Sequence, residues 1–205
     1  APIHYHVDLD LTVGAKNFGS KSFICFNAKP GSSTFLDLIA DEVTSIDLNG
    51  KALNASLTIS QNATCTIIDA TGAGTVKTSA SEPAVAVSGT LTVAGAVIEN
   101  TQGSAVKVAP GATLTIDGGE VRAQAAPPVM AMAAAASTGQ YGIVAESGTA
   151  ENPTKVNISA GKVLGATGAL SVGENVTTDI TGGTFSHSVA SLLASGYAES
   201  EVGGL

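Results

Sequence analysis

Tryptophan is absent from the 205 residues, and aromatic side chains make up only 4%. A core assembled round a few large rings is thereby excluded. Charge is sparse at 13%, and seventeen acidic residues against nine basic ones leave a net charge of −8. A chain of that sign repels phosphate backbones, so no nucleic-acid partner is expected. Cys25 and Cys65 are the only cysteines and neither stands at CxxC or metal-finger spacing. They read as free thiols in strands, with a mutual disulfide in an oxidising compartment as the alternative. The longest uncharged stretch, Ala123 to Ala145, is interrupted by Pro127, Pro128, Gly139 and Gly142, which excludes a membrane span there. No basic segment followed by an apolar run stands at the start of this numbering.

What is present is glycine, 24 residues of it, and short apolar alternations between the glycines. Ala84 to Val121 holds two copies of one unit. Val85 and Val87, then Leu91 and Val93, then Val97 are followed by Val106 and Val108, Leu114 and Ile116, and Val121. Turns and corners fall at Gly89, Gly95 and Gly118-Gly119. A unit this short cannot bury its own apolar face, so its repetition predicts a solenoid whose coils stack Val, Ile and Leu in ladders. The corner positions Val93, Ile116, Ile158 and Ile180 continue the repeat. The middle interval is about twice its neighbours, so it contains an extra coil or an excursion.

The excursion is the better-supported choice, because Ala123 to Thr138 breaks the strand pattern and is rich in alanine. It reads as a short helix opened by Pro127 and Pro128, or as an Ala-Pro loop. After Phe185, Val189, Leu192, Leu193 and Tyr197 have helical spacing and predict a short capping helix over 187–198. Before Ser56 the pattern differs: Ile3, Tyr5, Val7, Leu9 and Leu11 alternate with His4, His6, Asp8 and Asp10. That is a half-buried antiparallel strand. With strands at Phe23 to Asn27, Phe35 to Ile39 and Val43 to Leu48, it predicts a small β module over 1–55.

Two resemblances attach to these segments. YHVDLDLT at Tyr5 to Thr12 and STFLDLIADEVTSIDLNGKAL at Ser33 to Leu53 resemble the start of the N-terminal β domain of the aminopeptidase N family of zinc metallopeptidases. That family's His-Glu-x-x-His helix and Gly-x-Met-Glu-Asn loop are both missing, so the resemblance implies a fold fragment without peptidase activity. It also implies a chimera joined near Leu48 to Lys51. Downstream, SGTLTVAGAVIENT, GATLTIDGGEV and ITGGTFSHSVASLLASGY resemble right-handed parallel β-helix (pectate-lyase-like) repeat proteins of Gram-positive bacterial surfaces. This implies a surface stalk or adhesin module.

Candidate chemistry is thin. His4 and His6, at i and i+2 on one strand, could hold a metal together with Asp8 or Asp10, or could simply form an exposed polar face. Acidic residues with Lys or Arg along a β-helix face are the pattern of polysaccharide lyases and hydrolases, and Asp69, Glu99, Asp117, Glu120 and Arg122 are the candidates. Glu120 and Arg122 share a strand face. With Ile98 and Glu99 aligned against Arg122 and Ala123, no second acid falls at the matching position one coil away. Gly72-Ala73-Gly74 lacks the Lys-Ser/Thr of a phosphate loop and reads as a turn. No cofactor is expected.

The fold expected is therefore all-β: a right-handed parallel β-helix over 56–205, an insertion at about 123–140, a small N-terminal antiparallel module and a C-terminal cap. The function expected is a non-enzymatic bacterial surface or secreted protein, either a spacer or an adhesion module for a host glycan or protein. A carbohydrate-active enzyme using Asp117, Glu120 and Arg122 is the alternative, and a recombined or engineered chimera without selected activity is the third reading.

Overall fold

A computed structural model describes residues 4–10, 19–25, 37–38, 43–124 and 139–200. The chain divides into two compact units, Ala1–Thr34 and Phe35–Leu205. In the first, β1 (His4–Asp10) pairs antiparallel with β2 (Gly19–Cys25), in a register that sets Tyr5 opposite Ile24 and Val7 opposite Ser22.

The second unit is a parallel β-solenoid of about six turns, consistent with a right-handed parallel β-helix. Its first turn comprises β3 (Asp37–Leu38), β4 (Val43–Asp47) and β5 (Ala52–Leu53). The second comprises β6 (Leu57–Ile59), β7 (Thr64–Ile68) and β8 (Thr75–Thr78). Next come β9 (Val85–Val87), β10 (Thr90–Ala94) and β11 (Val97–Asn100). In the fourth and fifth turns the last two strands fuse across the corner: β12 (Val106–Val108) with β13 (Thr113–Ala123), and β14 (Tyr141–Ala145) with β15 (Thr154–Gly165). The sixth turn is β16 (Gly168–Val172), β17 (Val176–Ile180) and β18 (Thr184–Phe185).

Each turn contributes one strand to a six-stranded sheet, β16-β14-β12-β9-β6-β3, and its remaining strands to a ten-stranded sheet. The long β13 and β15 each carry two legs of the larger sheet. β10 and β11 both pair with β13, and β17 and β18 both pair with β15.

Alternation sends every second residue inward. Cys65, Leu91, Leu114 and Val156 share one ladder, and Ile67, Val93, Ile116, Ile158 and Ile180 share another, all buried. Each such side chain contributes about 1.5–3 kcal/mol through removal from water. Ile116 lies directly beside Ile158, so the doubled interval holds an excursion between Ala123 and Tyr141 and no extra coil. The expected helix or loop at 125–138 lies outside the described residues.

Glycine is required where stacked corners touch. Gly119 has φ +84°, and a Cβ there would stand 2.1 Å from the carbonyl oxygen of Ala96 in the preceding turn.

Three boundaries differ from expectation. Asp37–Leu38 and residues 43–53, assigned by their alternation to the small N-terminal module, form the first solenoid turn, with β3 parallel to β6, β4 parallel to β7 and β5 parallel to β8. Alternation marks a half-buried strand but does not report the direction of its partner. Leu48 and the Asn49-Gly50 turn, where the chimeric join was expected, belong to that turn, and Leu48 is buried in the common core. The C-terminal cap is a single 3-10 turn, Ala190–Leu192, and no longer helix occurs among the described residues. It is followed by a parallel bridge from Leu193 to Ile180 and a hydrogen bond from the Ala194 N–H to the Ile180 carbonyl. Buried Val189 anchors it, whereas Tyr197 is exposed.

Candidate functional site

The second leg of the larger sheet carries a charged row. Lys77, Glu99 and Arg122 are register partners in successive turns. Glu99 stands directly against Arg122, one residue away from the alignment expected from the sequence: the corners of β10–β11 and β13 are equal in length, so the interval that sets Val93 beside Ile116 also sets Glu99 beside Arg122. An acid therefore does occupy the matching position.

Contacts follow from that register. Lys77 Nζ lies 2.6 Å from Glu99 Oε1, and Arg122 Nε donates to Glu99 Oε2 at 2.8 Å, reinforced by Nη2 on the same oxygen. Arg122 Nη1 donates to Glu120 Oε1 at 3.0 Å. Glu99 is buried, which by itself raises its pKa. Hydrogen bonds from Lys77 and Arg122 outweigh burial and hold it below the usual glutamate range. Burial also opposes the Arg122 charge, but Glu99 and Glu120 overcome it and raise the guanidinium pKa. Two cations and two carboxylates thus close on each other in one ladder.

Asp117 does not join them. It lies on the other side of the Gly118-Gly119 corner, where its Oδ1 accepts from Ser159 Oγ at 2.9 Å.

Asp69 is committed to its own loop. The β7–β8 corner is a longer excursion than later corners. The Asp69 carboxylate accepts from the N–H of Gly74 at 2.7 Å, the N–H of Gly50 at 2.8 Å and the Thr71 hydroxyl at 2.9 Å. The Gly74 N–H is the largest influence on its pKa. With Gly50 and Thr71 it outweighs burial and lowers the carboxyl to about 2. Gly72-Ala73-Gly74 is therefore a turn folded round an aspartate.

A shallow groove of about 440 Å³ runs along these stacked corners, over Gly95 and Gly119, with Asp69, Val97, Glu120 and Lys162 at its sides. Lys162 is exposed and is the register partner of Glu120. It was not among the sequence candidates, and only the paired register brings it to the groove.

Asn100 was missed as well. Fully buried, it accepts from the N–H groups of Gln102 and Gly103 and donates to the carbonyl of Ser104 within the β11–β12 bend, and it donates to the carbonyl of Glu82 in the β8–β9 bend one turn earlier. Cys65 is a buried free thiol, and desolvation raises its pKa to about 11, which makes it a packing residue.

His4 and His6 lie in β1, opposite Cys25 and Phe23 respectively. Among the described residues no group of three or more His, Cys, Asp or Glu is arranged to hold a metal ion, and no helix is long and apolar enough to cross a membrane. Comparison with family models, with curated proteins and with solved structures finds no match for this chain.

Proposed function

We propose that this chain is a non-catalytic β-solenoid working outside the cell or on a bacterial surface, as a spacer or as a module that binds a glycan or a protein. The observation that carries this reading is the closure of Lys77, Glu99, Arg122 and Glu120 into one ladder. A glycosidase needs two carboxyl groups flanking the scissile bond, one of them able to deliver a proton. Glu99, with both oxygens held by cations, is kept ionised, and Asp69 is held by its own loop.

The resemblance of the repeats to pectate-lyase-like surface proteins supports the same location and role. The resemblance of Tyr5 to Thr12 and Ser33 to Leu53 to the aminopeptidase N β domain is read as shared strand pattern, since the zinc residues are missing and the second segment supplies solenoid strands.

Incubation of the whole chain with a panel of neutral and acidic polysaccharides tests the reading. No new reducing ends and no unsaturated products are expected. Turnover that disappears in Glu120→Ala would overturn it in favour of a carbohydrate-active enzyme using the corner groove.

A further inference from the structure

The first leg of the larger sheet presents a different surface from the charged row. β7, β10 and β13 run in unbroken parallel register, which aligns Thr64 with Thr90 and Thr113, and Thr66 with Thr92 and Thr115. Cys65, Leu91 and Leu114 between them are buried, so the six threonines emerge on the outer face, each partly exposed. The result is a two-dimensional net of hydroxyls with two columns and three rungs. Its mesh is set by the backbone: about 4.8 Å between rungs and roughly 6.6 Å between alternate residues of a strand. The register shifts in β13 begin only after Ile116, beyond the net.

Three further features distinguish this surface from an ordinary polar one. Threonine is stiff at χ1, so each hydroxyl and methyl has few positions to choose from. Apart from Thr115 Oγ1, which accepts from Asn157 Nδ2 at 3.4 Å, no side-chain hydrogen bond engages these hydroxyls among the described residues. No charge lies within the net. Lys155 takes the next place in the first column, and Ser45 and Asn157 flank the second.

We propose that this net binds ice. Each hydroxyl holds one water, each methyl beside it denies that water a sideways partner, and the bound waters are thereby ordered at the spacing of the strands. A nearly rectangular mesh of this size is close to the oxygen net on the prism face of hexagonal ice. An adsorbed protein then becomes part of the crystal surface and stops the face from advancing. A glycan fits the face less well, because no aromatic ring is present on it for a sugar to stack against, and no wall confines a chain.

The proposal goes beyond the scaffold reading and does not depend on it. Ice crystals grown in a solution of the whole chain, observed on a cooled microscope stage, should become faceted, with a gap between melting and growth temperatures that widens with concentration. Thr92→Lys, at the centre of a column, should abolish the gap while the circular-dichroism melt remains cooperative. Ala86→Lys, in the same turn but in the other sheet, should leave it unchanged. Lys155→Thr combined with Asn157→Thr adds a rung and should widen the gap, which keeps the test decisive if Thr92→Lys fails to fold. Rounded crystals and no gap with the unaltered chain overturn the proposal, as does an equal gap in folded Thr92→Lys. Retention on an insoluble polysaccharide that Thr92→Lys abolishes, without any effect on ice, also overturns it and makes the face a glycan surface.

Discussion

At the scale of single residues, charge in this solenoid is spent on holding turns together. Asp69 has its carboxyl lowered to about 2 from an ordinary value of 3.8. A group whose pKa is lowered by folding binds its proton more readily in the unfolded chain, so acid favours unfolding. The stability Asp69 contributes is complete above about pH 5 and is lost as pH falls through the region between these two values. Glu99 is lowered as well and acts in the same direction. Thermal melts between pH 7 and 2 should show the midpoint falling mainly below pH 4, with a shallower fall in Asp69→Asn and a lower midpoint for that variant at neutral pH.

Arg122→Ala leaves the buried Glu99 with one exposed lysine as its cation. Urea denaturation should show a loss of about 1–3 kcal/mol, against less than about 1 kcal/mol for Lys77→Ala, whose side chain is half-exposed. Equal losses from the two would show that Glu99 is not held in the way described.

At the scale of elements, the strand ladders and their corners carry the stability. Leu114→Ala removes a buried rung between Leu91 and Val156 and should cost about 2–5 kcal/mol. Corner glycines differ among themselves in a testable way. Gly72 and Gly119 both have positive φ, but a Cβ on Gly72 meets nothing within 4 Å, whereas on Gly119 it meets the backbone of the previous turn. Gly72→Ala should therefore cost about 1 kcal/mol of backbone strain, and Gly119→Ala clearly more, since strands must separate to admit it. Equal chemical midpoints for the two would contradict the stacking of corners.

Much of this was legible in the chain. Val93, Ile116, Ile158 and Ile180 stand in one ladder as their recurrence predicts, because coil length is set by the corners, and the corners announce themselves as glycine. The pairing of Glu99 with Arg122 was legible too, since the interval from Val93 to Ile116 carries Glu99 onto Arg122, and the alignment of Ile98 with Arg122 departed from it by one residue. What was not legible is the local slip at Asp117, which pairs with Ala160 while Ile116 and Glu120 keep one register on either side, because a bulge leaves the apolar pattern around it unchanged.

At the scale of the molecule, parallel stacking poses the problem of ends. The C-terminal segment answers it on one strand, where Leu193 and Ala194 pair with Ile180 and the Thr178 hydroxyl donates to the Leu192 carbonyl. Glu199 fixes the segment in turn, accepting from the Ser188 hydroxyl and the Val189 N–H. Removal of residues 187–205 should leave β17 with an open edge, and light scattering should then report concentration-dependent association that the whole chain does not show.

The sequence by itself determined the class of fold, the repeat and the place of the excursion, because all of these depend on periodicity and on the residue types that are present. Only the tertiary structure decided that Asp37–Leu38 and residues 43–53 open the solenoid, that Lys162 comes to the corner groove and that six threonines form one net. Each of those depends on which strand lies beside which, and in what register. Where glycine corners recur the chain announces its own pairing; where they do not, as in the first two turns, pairing is selected by the stacked core as a whole.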